Sequence, residues 1–225
     1  MHTQVLIIGG GVTGTGLARD LTLRGISCIL AEQRDINAGA SGGNHGLLHS
    51  GARYVASDPV SARECQRESQ ILKRIAPHCI EDTGGLFVAV PGDDQAYVAE
   101  FPNACSKAGL PCQALDLHEV RDMEPGVARG IIAAFAVNDA TIDPFQISLD
   151  NLSQAIESGA SYLSRHQVTA LSRASGASVH TVHLQSTLTG AEIQIHPDIV
   201  VNASGAWCGE TLNKAGLNLE MLYAK

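Results

Sequence analysis

A glycine-rich turn near the amino terminus constrains the fold of this chain more than any other feature. Gly9, Gly11 and Gly14 satisfy the pattern G-x-G-x-x-G directly after a short apolar run. Apolar residues at helical spacing follow over residues 13–24, and a second apolar run begins at Ser27. A strand, a helix and a strand within about 30 residues require the two strands to pair in parallel, with the helix as the crossover. The sequence therefore predicts an α/β fold that opens with a βαβ unit.

The three glycines and an acidic residue downstream match the requirements of a bound dinucleotide. Gly9 permits the tight turn, Gly11 lets the backbone approach a pyrophosphate, and Gly14 allows the helix to pack closely on the strand. The helix N-terminus offers N–H groups and a partial positive charge to the phosphates. Glu32, at the end of the second strand, is placed to accept the ribose hydroxyls, and its charge disfavours a 2′-phosphate. The pattern predicts an adenine dinucleotide and by itself leaves FAD and NAD open.

Composition and charge argue against several other classes of function. The net charge of −8 and the lack of a dense Lys/Arg cluster argue against nucleic-acid binding. Because no apolar run approaches the roughly 18–20 residues of a membrane span, we expect any membrane contact to be peripheral. The cysteines include no C-x-x-C pair and no secretion signal precedes them, so we predict reduced cytoplasmic thiols and no metal site. His45 and His49 are four residues apart, but Gly46 between them argues against the helix on which such a pair would bind zinc.

A second glycine-rich segment, Gly39–Gly51, bears on the identity of the dinucleotide. It is polar and occupies the place where a typical NAD domain continues into its next helix. Backbone of this kind suits a long cofactor that continues past the first phosphates, which favours FAD. Several specific runs accompany it and are spread over most of the chain: NHGLLHSGARY (44–54), SAREC (61–65), ILKRIA (71–76), DPF (143–145) and VVNASGAW (200–207).

These runs resemble the flavin-dependent oxidoreductases of D-amino-acid oxidase type, and within them the FAD-dependent glycerol-3-phosphate dehydrogenases, in particular the A subunits of the anaerobic type. The resemblance implies a Rossmann-like FAD-binding domain with a parallel sheet, joined to part of a mixed-sheet substrate domain. It assigns residues 1–83 and 144–225 to FAD binding and residues 84–143 to the substrate domain. The implied cofactor ligands are Gly9, Gly11, Gly14 and Glu32 for ADP, Ser41, Gly42, Asn44 and Leu47 toward the flavin, Val168 through its backbone for adenine, and Ala203 and Gly205 near the pyrophosphate.

The resemblance also implies a reaction and its partners. In this family sn-glycerol 3-phosphate is oxidised to dihydroxyacetone phosphate, and the electrons pass through partner subunits to quinone at the inner face of the cell membrane. Family members are longer and carry further flavin and substrate ligands, so we expect that these 225 residues do not turn over substrate alone. Two alternatives stay open: another oxidoreductase of this type, acting on a 2-hydroxy acid or an amine, and a non-catalytic nucleotide-binding fragment.

Three residues outside the ADP motif, His49, Arg53 and Tyr54, have a functional interpretation beside a simpler one. His49 is a candidate base, because a neutral imidazole suits proton removal near neutral pH, or it hydrogen-bonds the cofactor or the loop. Arg53 and Tyr54 are the implied substrate-phosphate ligands, since a guanidinium pairs bidentately with phosphate oxygens. The simpler interpretations are an ordinary salt bridge for Arg53 and packing for Tyr54 and Trp207. Asp139 most simply forms a turn.

Overall fold

The computed structural model describes residues 1–173 and 180–216, which fall into two compact units. The first unit comprises Met1–His45 and the chain from Pro144 onward, and the second comprises Gly46–Asp143. The boundary after residue 143 coincides with the one expected from the sequence. The earlier boundary lies at residue 45, whereas the expected one lies at residue 83. The difference arises because residues 46–83 pair and pack within the second unit.

The helices and strands follow one another closely. In chain order the strands are β1 (His2–Ile8), β2 (Cys28–Glu32), β3 (Leu47–Leu48), β4 (Ile80–Glu81), β5 (Gly85–Ala89), β6 (Cys112–Ala114), β7 (Ala133–Val137), β8 (Ala140–Ile142), β9 (Ser161–Ser164), β10 (His166–Arg173), β11 (His180–Ser186) and β12 (Glu192–Asn202). The α-helices are α1 (Val12–Leu23), α2 (Pro59–Ile75), α3 (Gln95–Ala108), α4 (Leu117–Met123), α5 (Pro144–Glu157) and α6 (Cys208–Lys214).

The first unit is built on one six-stranded sheet with the order β10-β11-β12-β1-β2-β9. β1 pairs in parallel with both β12 and β2, and β2 pairs in parallel with β9. β10, β11 and β12 form an antiparallel meander at one side. The predicted α/β fold with an amino-terminal βαβ unit and a parallel sheet is therefore confirmed.

The central strands of this sheet are apolar on both faces, which explains their uninterrupted hydrophobic sequence. Val5 and Ile7 of β1 pack in one core cluster with residues of α1 and α5. Leu6 and Ile8 alternate with them and pack in a second cluster with the meander strands. Because Leu6 and Ile7 are fully buried, each contributes roughly 1.5–3 kcal/mol to the free energy of folding.

The second unit contains two three-stranded sheets, with the orders β3-β8-β4 and β5-β7-β6. The paired strands in both sheets are antiparallel. The mixture of parallel and antiparallel pairs that the resemblance implies for the substrate domain therefore occurs in the sheet of the first unit. One core cluster joins Phe101 of α3 to Phe135 of β7, and Ala62 of α2 belongs to the same cluster. Among the described residues of the whole chain, no helix has the length and apolar character needed to cross a membrane.

Candidate dinucleotide site

The turn after β1 is shaped by glycines that no other residue could replace without movement of the backbone. Gly9 has a φ of +116°, and a Cβ added there would lie 2.4 Å from the carbonyl oxygen of Ala203. A Cβ at Gly14 would lie 1.9 Å from the carbonyl oxygen of Gly9. α1 therefore begins directly against the turn, with its first N–H groups at the carboxyl edge of the sheet.

The N-terminus of α1 is open to an anion. Gly11 is the N-cap residue and has no side chain with which to satisfy the first N–H groups, and the first turn contains no acidic residue. Ser41 supplies a single acceptor, since the Val12 N–H donates to its Oγ over 3.0 Å. The remaining N–H dipoles favour negative charge at this end, as the phosphates of a dinucleotide require.

Glu32 ends β2 beside this turn, and its carboxylate is held by backbone donors. The Gly10 N–H donates to Oε2 over 2.7 Å, and the Arg34 N–H donates to Oε1 over 2.7 Å. Each carboxylate oxygen has a further lone pair, so both can still accept a hydroxyl. The side chain is thus fixed in position to accept vicinal ribose hydroxyls.

The structure brings seven of the predicted cofactor residues to the wall of one cleft in the first unit. They are Gly9, Gly11, Glu32, Ser41, Val168, Ala203 and Gly205. Ala203 and Gly205 approach from the end of β12, where the Ala203 N–H donates to the Ile8 carbonyl over 2.8 Å. The carboxyl ends of parallel strands are the usual place for a nucleotide in such a sheet.

Four other predicted cofactor residues do not line this cleft. Gly14 packs beneath the turn, and Gly42 packs where a Cβ would lie 2.3 Å from the Asn37 carbonyl oxygen. Asn44 is exposed, and its Nδ2 donates to the Ser41 carbonyl over 2.5 Å. Leu47 belongs to the second unit and is 42% exposed.

Lys214 is a cleft residue that sequence reasoning missed. Its Nζ donates to the Val168 carbonyl over 2.7 Å, while the Val168 side chain is buried in the core of the unit. The backbone of Val168 is expected to face adenine, and its carbonyl is engaged by an ammonium group, although the second lone pair of that oxygen remains available. A lysine in the last turn of α6 gives no sign of this contact in the sequence.

Arg34 and Trp207 form a stacked pair in the cleft wall. The guanidinium carbon of Arg34 lies 4.9 Å from the centroid of the indole ring, which is cation–π geometry. Gly39 makes room for the ring, since a Cβ there would lie 3.1 Å from Trp207 Cζ3. Trp207 therefore packs, as the simpler interpretation predicted, but it packs against a cation of the cleft.

The second unit holds a separate polar cluster around Asp139. Its Oδ1 accepts the Ser50 N–H over 2.7 Å and the Ser50 hydroxyl over 2.6 Å, and its Oδ2 lies 3.5 Å from His49 Nδ1. Asp139 lies in the connection between β7 and β8 and is only 6% exposed, so it has buried polar partners in addition to its place in the connection. Arg53 is exposed and lies 5.4 Å over the ring of Tyr54, with both residues on the 3-10 helix Ala52–Tyr54.

Comparison with known proteins identifies the cofactor of the first unit. The family described as FAD dependent oxidoreductase matches residues 4–224. The chain belongs to this family. Its glycine turn, open helix terminus and anchored Glu32 fit the ADP half of FAD, so the choice between FAD and NAD is decided for FAD, as the Gly39–Gly51 segment indicated.

Individual relatives of this FAD dependent oxidoreductase are longer than the chain. It is 48% identical over 223 residues to the A subunit of anaerobic glycerol-3-phosphate dehydrogenase of Escherichia coli (strain K12), a match that covers 99% of this chain and 41% of that protein. The fold is similar to that of L-proline dehydrogenase from P. horikoshii, with a TM-score of 0.84 and 22% identity, covering 98% of this chain and 57% of the other. It is also similar to glycerol-3-phosphate dehydrogenase from Bacillus halodurans complexed with FAD, with a TM-score of 0.70 and 22% identity, covering 95% and 36%.

Proposed function

We propose that this chain is the FAD-binding and substrate-proximal part of an anaerobic-type glycerol-3-phosphate dehydrogenase, which oxidises sn-glycerol 3-phosphate to dihydroxyacetone phosphate. One observation carries the proposal. The 48% identity to the Escherichia coli protein extends over 99% of the chain, and so includes both the glycine turn and the 44–54 segment. A match confined to the nucleotide cleft would support a cofactor and no substrate.

In this proposal the first unit holds the cofactor. Gly9, Gly11 and Gly14 form the cradle for the pyrophosphate, and Glu32 accepts the adenosine ribose hydroxyls. Ala203 and Gly205 close the other side of the pyrophosphate. The backbone of Val168 contacts adenine. The Lys214 ammonium group then either shares the Val168 carbonyl with adenine or releases it. Ser41, Gly42, Asn44 and Leu47 are proposed to follow the cofactor toward the flavin.

The proposed substrate residues belong to the second unit. Arg53 carries an exposed guanidinium that can pair bidentately with phosphate oxygens, and the ring of Tyr54 beneath it restricts its orientation. His49 is the proposed base and takes the proton of the C2 hydroxyl. FAD, when bound, supplies the acceptor for the hydride from C2. The protein thus binds the phosphate, orients the alcohol and moves the proton.

The destination of the electrons is the finer part of the proposal. The name of the Escherichia coli relative describes one component of a larger assembly, which supports partner subunits for this chain as well. We propose that the electrons leave through such partners to quinone, with the complex peripheral at the inner face of the cell membrane. Carrying the electrons away is then a task of the assembly rather than of these residues.

A chimera with the full length of the Escherichia coli relative tests the substrate assignment. The 223-residue matching segment of the Escherichia coli protein is replaced by this chain, and reduction of an artificial electron acceptor is followed with FAD present. We expect turnover with glycerol 3-phosphate, and a loss of about 100-fold or more in kcat for His49→Gln. Lys107→Gln, at an exposed salt bridge with Glu100, is the matched control and is expected to leave kcat unchanged.

Three outcomes would contradict the proposal. An FAD-loaded chimera without activity on glycerol 3-phosphate excludes the substrate. Faster turnover of a 2-hydroxy acid or an amine in a substrate panel favours the other oxidoreductase class. A chimera that folds without retaining FAD removes the cofactor assignment, and with it the enzyme.

A further inference from the structure

We infer that Asp139 is a positioning residue that holds His49 in the tautomer required of a base. The inference deepens the proposed function and rests on it for the role of His49. Its starting point is the sheet β3-β8-β4, where Leu47 pairs with Thr141 and Leu48 pairs with Ala140. Continuing this antiparallel register by one position sets His49 opposite Asp139. The pairing of two short strands thus brings together two residues that are far apart in the sequence.

The carboxylate of Asp139 is fixed by its other oxygen. Two donors from Ser50, the backbone N–H and the hydroxyl, meet Oδ1 at 2.7 and 2.6 Å, and Ser50 is itself 1% exposed. Gly85 leaves the space, since a Cβ there would lie 2.8 Å from the Asp139 Cβ. A side chain held in this way has little freedom to turn away from His49.

The second oxygen of Asp139 is the one that faces His49. Asp139 Oδ2 lies 3.5 Å from His49 Nδ1. This separation is longer than the usual donor–acceptor distance of a hydrogen bond, as is common for catalytic contacts before substrate binds. Burying a carboxylate is costly unless donors surround it, and Ser50 alone leaves Oδ2 to be satisfied. The arrangement therefore favours an N–H on Nδ1 of His49.

The carboxylate of Asp139 determines which ring nitrogen of His49 carries the proton. A carboxylate only accepts hydrogen bonds, so it favours the neutral imidazole with its proton on Nδ1 and its lone pair on Nε2. Nε2 can then take the hydroxyl proton of the substrate, and the imidazolium that results is stabilised by the charge of Asp139. The same division between a base and the carboxylate that orients it occurs in other enzymes on unrelated folds.

The tautomer of His49 is the direct test, and it needs no activity. Long-range ¹H–¹⁵N spectra of the 225-residue chain at mildly alkaline pH separate Nδ1–H from Nε2–H imidazoles, and His49→Gln identifies the signal. We expect His49 as the Nδ1–H form in the wild type. In Asp139→Asn the amide can donate to Nδ1, so we expect a shift of the population toward Nε2–H. Asp82→Asn, at an exposed carboxylate paired with Lys73, is the control and is expected to preserve the wild-type form.

Activity in the chimera is the second readout. Asp139→Asn is expected to lower kcat by about 100-fold or more with little change in KM, because the wrong tautomer affects proton transfer rather than phosphate binding. Asp82→Asn, which removes an exposed carboxylate paired with Lys73 in the same unit, is the matched control and is expected to keep full activity.

The outcomes separate this inference from the function on which it rests. A wild-type chimera that is inactive on glycerol 3-phosphate contradicts the proposed function, while the spectra still test the contact. A His49 that is Nε2–H in the wild type overturns the inference, even if Asp139→Asn fails to fold. An unchanged tautomer in a folded Asp139→Asn overturns it as well.

Discussion

At the scale of single residues, α1 offers two glycines whose surroundings are opposite. A Cβ at Gly14 would lie 1.9 Å from a backbone oxygen, whereas a Cβ at Gly16 would meet only Asn151 Nδ2 at 3.9 Å. Gly14→Ala must displace the turn, so we expect a loss of about 3 kcal/mol or more in the free energy of unfolding. Gly16→Ala is expected to gain about 0.5–1 kcal/mol from helix propensity. Urea unfolding of both variants measures this, and equal effects would contradict the close packing of the turn.

The residues of the cleft and of the polar cluster around Asp139 show which contacts a sequence can reveal. Gly9, Gly11 and Glu32 were predictable because their spacing follows from local requirements of one turn and one strand end. The contact of Lys214 with Val168 and that of Asp139 with His49 join segments far apart in the chain. Neither pair has a local pattern, since each depends on which secondary-structure elements become neighbours. For this reason the sequence alone indicates no more than a turn at Asp139.

At the scale of secondary structure, the start of α2 is set by a proline and by the aspartate before it. Ser61–Glu64 has the spacing of a capping box, but the helix begins at Pro59 and its N-cap is Asp58. The Asp58 side chain accepts the Ser61 N–H over 3.1 Å and the Ser61 hydroxyl over 2.6 Å. Proline favours the first helical position, which moves the cap one residue ahead of it.

This cap has a pH dependence of known sign. The Ser61 hydroxyl and N–H lower the pKa of the Asp58 carboxyl below 3.8. A lowered pKa means that the carboxylate stabilises the fold above about pH 3.8 and that this contribution is lost as the pH falls through the folded-state value. We therefore expect Asp58→Ala to lower the urea midpoint at neutral pH, with the difference from wild type shrinking under acid conditions. Glu64→Gln, on the exposed side of α2, controls for removal of one negative charge.

β12 shows why element boundaries were harder to predict than elements. The sequence suggests two strands, Glu192–His196 and Ile199–Ala203, separated by Pro197, but the structure has one strand. Pairing with β11 ends at Ile195, and pairing with β1 begins at His196. The proline, which has no N–H, thus lies where the strand changes partners. The apolar residues of β12 were enough to predict strand structure. That the strand continues through Pro197 could not be predicted, because it depends on pairing with β11 and β1.

At the scale of the whole molecule, the division into two units makes a prediction about FAD. α2 lies in the second unit, whereas the sequence-based boundary after residue 83 would make it part of the FAD-binding domain. A ligand present at a free concentration about 100 times its Kd stabilises the unit that binds it by about 2.7 kcal/mol. Amide exchange that requires unfolding of this unit then slows about 100-fold. We expect this protection of amides in β1, α1 and β12, and little change in α2.

Hydrogen exchange of the chain with and without FAD measures this difference. Glu32→Ala is the matched variant, because it removes the acceptor for the ribose together with the acceptor for the Gly10 and Arg34 N–H groups, and its protection is expected to be smaller at equal FAD concentration. Equal protection of α2 and β1 would show that the chain responds to the cofactor as one cooperative body. That result would place residues 46–83 with the FAD-binding domain in energetic terms, as the sequence suggested, despite their packing in the second unit.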